Sequence, residues 1–167
     1  MTTFAKGLAA GTIQAPAKTS WWPRHTRGMM RYLALSGQKT PQARVEISST
    51  LKKGAQEWEA MIPKTAQQGL MIEHVALEIA LVDAVRLNRE EDIDGIGKKL
   101  FANTNQLSAV LGIAVVEFPE ENFKRLFMDH VGLYAGSVRK KIEGVVVQSA
   151  EMESNMLQLA GFTAEWF

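Results

Sequence analysis

Two histidines and two asparagines recur at matching positions within residues 70–162. The stretch 70–77, Leu-Met-Ile-Glu-His-Val-Ala-Leu, matches the stretch 126–133, Leu-Phe-Met-Asp-His-Val-Gly-Leu, and this match pairs His74 with His130. Asn103 and Asn155 each stand three residues before a glutamine and four before a leucine. Because each block carries helical apolar spacing, the self-similarity predicts two related helical hairpins, which stack naturally into a bundle.

The spacing within each block predicts which polar side chains face each other. The midpoint between His74 and Asn103 falls at residues 88–89, and the midpoint between His130 and Asn155 falls at 142–143, where turns are predicted. Residues equidistant from the turn of an antiparallel hairpin lie at the same height. An asparagine amide offers a buried imidazole both a donor and an acceptor. We therefore expect His74–Asn103 and His130–Asn155 to be structural hydrogen-bonded pairs.

Metal binding is the alternative role for the two histidines. If His74 and His130 met across the bundle, they could hold a metal ion with Glu73, Glu78 or Asp129. The Glu-x-x-His motif of di-metal bundles is absent. Glu73 and Asp129 each precede a histidine by one residue, and therefore point about 100° away from it on a helix. The sequence accordingly predicts no metal and no cofactor, with a small metal-binding or enzymatic bundle as the alternative.

Composition and missing motifs restrict the function further. The chain has 167 residues, 46% of them apolar and none of them cysteine, which suits one domain and excludes thiolate chemistry. A glycine-rich phosphate loop, a nucleophile elbow and a dinucleotide fingerprint are absent, and the third histidine, His25, has no predicted partner. No apolar run approaches the ~18 residues that a membrane span needs. The sequence predicts a protein that is not an enzyme.

The elements that must position these residues are helices. Thr40 and Pro41 form a helix start, with a capping hydroxyl before proline at the first helical position. Apolar residues recur at helical spacing to Ile62 and then in four further segments. The predicted fold is all-α: a helical bundle, residues 41–167, of two related hairpins plus one preceding helix, with an extended N-terminal arm, residues 1–40.

Charge separates this arm from the predicted bundle. Residues 1–45 contain seven basic side chains and no acidic one, whereas the rest of the chain contains 12 basic and 18 acidic groups. Aromatic residues interleaved with arginines can stack and can grip phosphate or carboxylate. The predicted partner-binding residues of the arm are Trp21, Trp22, Arg24, Arg27, Arg31 and Tyr32.

Several interpretations of the arm remain open at this stage. It can pack on a neighbouring subunit, tether the protein to nucleic acid or another anionic surface, act as an organelle transit peptide, or fold on its own domain. We expect the first, with Trp21, Trp22 and the arginines buried mainly against another molecule.

The repeated pattern resembles a group of small all-helical proteins found in bacteria and encoded by some large DNA viruses. These proteins carry a hairpin twice, with His-x-x-Leu in one helix and Asn-x-x-x-Leu-Ala in the next. The resemblance covers residues 68–162, supports the fold and implies no reaction. Serine replaces the alanine of the pattern in the first copy. The matching residues are His74, Leu77, Asn103, Leu107, Ser108, His130, Leu133, Asn155, Leu159 and Ala160.

The sequence thus predicts a structural or assembly subunit anchored by its basic arm in a larger complex, for example a virion or capsid. The expected partners are protein subunits, with nucleic acid as the alternative partner of the arm; a small-molecule substrate and a membrane span are not expected. The expected location is the cytoplasm or a virion, with organelle import left open.

Overall fold

The computed structural model describes residues 17–35, 41–64, 68–142 and 149–166. These residues form six helices and no strand, which confirms the predicted all-α bundle. The helices are α1 (Ala17–Ala34), α2 (Pro41–Glu59), α3 (Leu70–Arg86), α4 (Glu90–Ala114), α5 (Glu120–Ile142) and α6 (Ala150–Trp166).

Local sequence signals explain where several helices begin. Pro41 occupies the first position of α2, where a missing backbone N–H costs nothing. Glu120 and Glu121 lie in the first turn of α5, where carboxylates interact favourably with the helix dipole. The buried Glu59 carboxylate accepts hydrogen bonds from the backbone N–H of Gly69 and Met71, at 3.0 and 2.9 Å, and so caps the start of α3.

The six helices form a closed ring in chain order. Each helix packs against the next, and α1 packs against α6 to close the ring. The odd-numbered helices α1, α3 and α5 also contact one another across the middle. Side chains from these three helices therefore meet at the centre of the bundle.

The structure corrects the prediction of an extended arm. Residues 17–34 form helix α1 inside the bundle, and α1 packs on α2, so the described part of the chain forms three hairpins rather than one helix and two hairpins. The two helices of this added hairpin run antiparallel, because Trp21 contacts Gly54 while Gly28 approaches Leu51. Residues 1–16 and 36–40 of the predicted arm lie outside the described residues.

The aromatic residues of α1 belong to the protein core. Trp21 and Trp22 are 1% and 0% exposed, and Tyr32 is buried as well. The Trp22 indole donates a 2.7 Å hydrogen bond to Thr163 Oγ1 of α6, and the Tyr32 hydroxyl donates to Asp83 at 3.1 Å. The prediction that these rings are buried mainly against another molecule is therefore wrong, because burial within the chain already removes them from water.

Candidate metal centre

Three histidines surround one carboxylate where α1, α3 and α5 meet. His25 Nε2 lies 3.1 Å from Glu78 Oε2, while His74 Nε2 and His130 Nε2 lie 3.5 and 3.6 Å from Glu78 Oε1. All four side chains are at most 2% exposed. Four ionisable groups therefore share a site from which bulk water is excluded.

The helices fix each member of this cluster. His74 and Glu78 are four residues apart on α3, so they project from the same face. His130 projects inward from α5 and packs against the Trp22 ring, with centroids 5.5 Å apart. His25 stacks on Trp21 one turn earlier in α1, with centroids 4.7 Å apart and an interplanar angle of 11°.

Asn103 determines which nitrogen of His74 carries a proton. Its amide nitrogen donates to Leu70 O at 2.9 Å and to Glu73 Oε2 at 3.0 Å, and its carbonyl oxygen lies 3.2 Å from His74 Nδ1. The opposite amide orientation would set the carbonyl against two acceptors. His74 Nδ1 is therefore the donor, and the predicted His74–Asn103 pair is confirmed.

This tautomer leaves two acceptors facing each other in the core. With its proton on Nδ1, a neutral His74 presents a bare lone pair on Nε2 to the Glu78 carboxylate. Neither His74 Nε2 nor either Glu78 oxygen has a hydrogen bond of acceptable geometry among the described residues. Two lone pairs at this distance and depth repel unless a cation lies between them, and that cation is either a proton or a metal ion.

The second predicted pair does not form as expected. Asn155 donates from its amide nitrogen to Leu126 O at 2.8 Å, just as Asn103 donates to Leu70 O, so the two hairpins are alike in this contact. Neither Asn155 Oδ1 nor His130 Nδ1 has a hydrogen-bond partner in the described residues. The Leu126 carbonyl accepts the hydrogen bond of the Asn155 amide, and the His130 imidazole lies against Glu78 instead of Asn155.

Opposing effects act on the charges of the cluster. Burial raises the pKa of Glu78, but the positive charges that His25 and His74 can carry outweigh burial and hold this pKa well below 4.5. Burial dominates at His130 and lowers its pKa below 6.5. Glu78 is therefore the anion of the site, and His130 favours the neutral form that a metal ion requires.

Three of the four groups lie close enough together to share one ion. His25, Glu78 and His130 each bring a donor atom to within 4.8 Å of the other two, whereas His74 is outside this set and its Nε2 lies beside Glu78 Oε1. Donors at about 2.1 Å from a tetrahedral zinc ion lie roughly 3.4 Å from one another. The contacts of 3.1–3.6 Å to Glu78 fall around that value, whereas a hydrogen bond of this kind would be shorter and better aligned.

The predicted arginines lie outside this buried centre. Arg24, Arg27 and Arg31 are exposed on one face of α1, and Arg24 pairs with Glu57 at 3.4 Å. Their exposure leaves partner binding by this face a prediction.

From the sequence alone, His25 has no predicted partner and Glu78 is not distinguished from Glu73 and Asp129. The spacing of Glu78, four residues after His74 on an apolar stripe, was the available signal for an inward-facing carboxylate. No comparable spacing in the sequence marks His25 as inward-facing while residues 1–40 are interpreted as an arm. Its helix and its contact with Glu78 form only when the segment packs against the other helices.

Comparisons with known proteins leave the site to be interpreted from its own geometry. No protein-family model, curated protein or solved structure matches this chain. None of the described helices is long and apolar enough to cross a membrane.

Proposed function

We propose that this protein binds a divalent transition-metal ion at the buried cluster of His25, His74, Glu78 and His130, and that zinc is the ion the site fits best. The observation that carries the proposal is the approach of three buried donors, from His25, Glu78 and His130, to within 4.8 Å of one another, with no hydrogen bond to satisfy them among the described residues. The facing acceptors His74 Nε2 and Glu78 Oε1, 3.5 Å apart, add to the need for a cation. Imidazole nitrogen and carboxylate oxygen are both ordinary zinc donors, and zinc accepts four of them.

The surroundings also suit a metal ligand set. A histidine bound to a metal almost always donates its other ring N–H to an acceptor, and Asn103 provides this acceptor for His74. The Tyr134 hydroxyl donates to the backbone carbonyl of Glu78 at 3.3 Å and helps to fix the carboxylate-bearing turn. Three buried donors lie within reach of one ion, and His74 would complete a closed site by moving toward it, so the ion would stabilise the fold.

Metal analysis tests the proposal. The purified protein should retain about one zinc per chain after dialysis, and cobalt exchanged into the site should give the intense visible absorption of a tetrahedral centre. Glu78→Gln should abolish cobalt binding, whereas Glu121→Gln, which alters an exposed carboxylate of α5, should leave it intact. Stoichiometric binding that survives Glu78→Gln would overturn the proposed site.

An assembly function remains a second proposal, supported by one observation. Arg24, Arg27 and Arg31 form an exposed basic face on α1, and such a face can bind an acidic protein surface or nucleic acid. Reversing all three charges to glutamate should then prevent association with a partner. Unchanged co-purification with the partner, together with an unchanged helical signal, would rule this proposal out.

A further inference from the structure

A cleft of about 840 Å³ opens between α2 and α3, and the buried Tyr32 of α1 forms part of its floor. One face of α2 lines the cleft with residues four positions apart, Arg44, Ser48, Lys52 and Gln56. Arg44 and Gln56 are separated by three helical turns and more, so this face is about 18 Å long. A concave space of this size is typical of small-molecule sites.

The lining of the cleft is strongly basic. Its cations are Arg44, Lys52, Lys53 and Arg86. Among the described residues that line it, Asp83 is the one carboxylate, so four positive charges and one negative charge give a net charge of +3. Asp83 already accepts hydrogen bonds from the Tyr32 hydroxyl at 3.1 Å and from Arg86 Nε at 3.2 Å. The described residues provide no ion pair for Arg44, Lys52 or Lys53.

A generally basic composition does not account for this charge. Residues 46–167 contain 12 basic and 18 acidic groups, yet three of the four cations of the cleft belong to that acidic part of the chain. Like charges gathered in a cleft repel one another and raise the local concentration of anions. The cleft is therefore a place where an anionic ligand gains free energy on binding.

Two guanidinium groups approach the floor of the cleft from different helices. Burial, followed by Asp83, raises the pKa of Tyr32 to about 12, whereas Arg44 of α2 and Arg86 of α3 act in the opposite direction because they lie near the same hydroxyl. Both arginine side chains are half-buried, so bulk water screens them less than it screens a surface lysine. The planar fork of a guanidinium group matches the oxygens of a phosphate group.

We propose that the cleft between α2 and α3 binds a small molecule that carries two phosphate groups. Arg44 and Arg86 hold one phosphate group at the floor. Lys52 and Lys53, two turns further along α2, hold the other. A phosphate monoester carries about −1.5 to −2 charges at pH 7, so two phosphate groups balance the lining charge of +3 and one does not.

Two sources of this ligand share the same chemistry, free diphosphate and a diphosphate ester such as a nucleoside diphosphate. A nucleic-acid strand fits the cleft less well, because its described lining offers no exposed aromatic ring on which a base can stack. The site is separate from the buried cluster of histidines and Glu78, and no member of that cluster lines the cleft.

Isothermal titration calorimetry of the full chain at low ionic strength, in buffer without free metal, tests the proposal. Pyrophosphate in one arm and ADP in the other should bind saturably, at about one per chain, in at least one arm. Arg44→Gln should weaken the bound probe about tenfold, the loss expected for one hydrogen bond to a charged group. Arg125→Gln removes the same charge from an exposed site on α5 and should leave the affinity unchanged.

A further variant tests the second phosphate position. Lys52→Gln combined with Lys53→Gln should lower the affinity for pyrophosphate to that for inorganic phosphate, because one phosphate group then loses its cations. Both lysines are exposed, so the far-ultraviolet circular dichroism of this variant should match that of the parent protein. Pyrophosphate binding that survives the double change would contradict the two-phosphate site.

Three other results would overturn the proposal. Neither probe binds saturably, or Arg125→Gln weakens binding as much as Arg44→Gln does, or a short DNA duplex binds more tightly than both probes and so identifies a nucleic-acid surface. Each of these results leaves the proposed metal site untouched, because the two sites share no residue.

Discussion

Replacing Glu78 with glutamine separates a metal ion from a proton as the cation of the buried cluster. Glutamine keeps the size of the side chain, removes its charge and adds an NH₂ group. In the metal-free protein this group can donate to the bare Nε2 of His74, which lies 3.5 Å from the present carboxylate. If His74 is neutral, the free energy of unfolding without metal should therefore change by no more than about 1 kcal/mol.

The expected changes in stability differ between a metal ion and a proton as the bridging cation. A free zinc concentration 100 times the dissociation constant stabilises the parent protein by about 2.7 kcal/mol. For a chain of this size, about 2–4 °C of melting temperature corresponds to 1 kcal/mol, so zinc should raise Tm by about 5–11 °C. If a proton bridges the cluster instead, Glu78→Gln leaves an imidazolium buried without its counter-charge, at a cost of about 3–5 kcal/mol.

Thermal unfolding followed by circular dichroism gives the four melting temperatures required, those of the parent protein and of Glu78→Gln, each with EDTA and with zinc. The metal-site reasoning expects a large zinc effect in the parent protein, none in Glu78→Gln, and similar melting of both proteins in EDTA. A variant that melts about 6–20 °C lower in EDTA, together with a parent protein that zinc does not stabilise, would refute it.

Three further results are expected. In EDTA, His74→Leu should destabilise the protein more than His74→Leu combined with Asn103→Leu, by about 1–3 kcal/mol in urea unfolding, because the single change leaves the buried Asn103 Oδ1 without its donor. Additive effects of the two changes would contradict the pairing. Gly28→Ala should cost about 1–3 kcal/mol, because its Cβ would lie 2.8 Å from a leucine side chain of α2, whereas Gly97→Ala, with nothing within 4 Å, should not destabilise. Burial lowers the pKa of His130 below 6.5, so as the pH falls the unfolded chain takes up a proton on this histidine before the folded protein does. The free energy of unfolding in EDTA should therefore fall by up to about 1.4 kcal/mol per pH unit as the pH drops below 6.5, and His130→Gln should reduce that slope.

The hairpin geometry is the part of the structure that the sequence predicted best. His74 and Asn103 meet because turn position and helical rise fix which residues of a hairpin share a height, and both quantities can be estimated from sequence. The second pair shows the limit of this reasoning. Asn155 lies at the expected place and bonds Leu126 O, but the competing attraction of Glu78 for His130 depends on a third helix.

Helix α1 was missed for a different reason. Its buried residues Trp22, Met29 and Leu33 already follow helical spacing, and the exposed arginines lie between them. Composition suggested an arm because Gly, Pro and basic residues are frequent up to residue 40, and Pro23 is an unfavourable residue within a helix. Packing of the two indoles outweighs that local cost, and such tertiary stabilisation has no signature in a single segment.

The contact between Trp22 and Thr163 affects the order in which the protein can fold as it is synthesised. These residues are 141 positions apart, so at 5–20 residues per second the indole waits roughly 7–28 s for its partner. The Trp22 ring is meanwhile without the helix that supplies its hydrogen-bond acceptor. The nascent chain therefore offers an exposed hydrophobic segment to the folding machinery of the cell until α6 has left the ribosome.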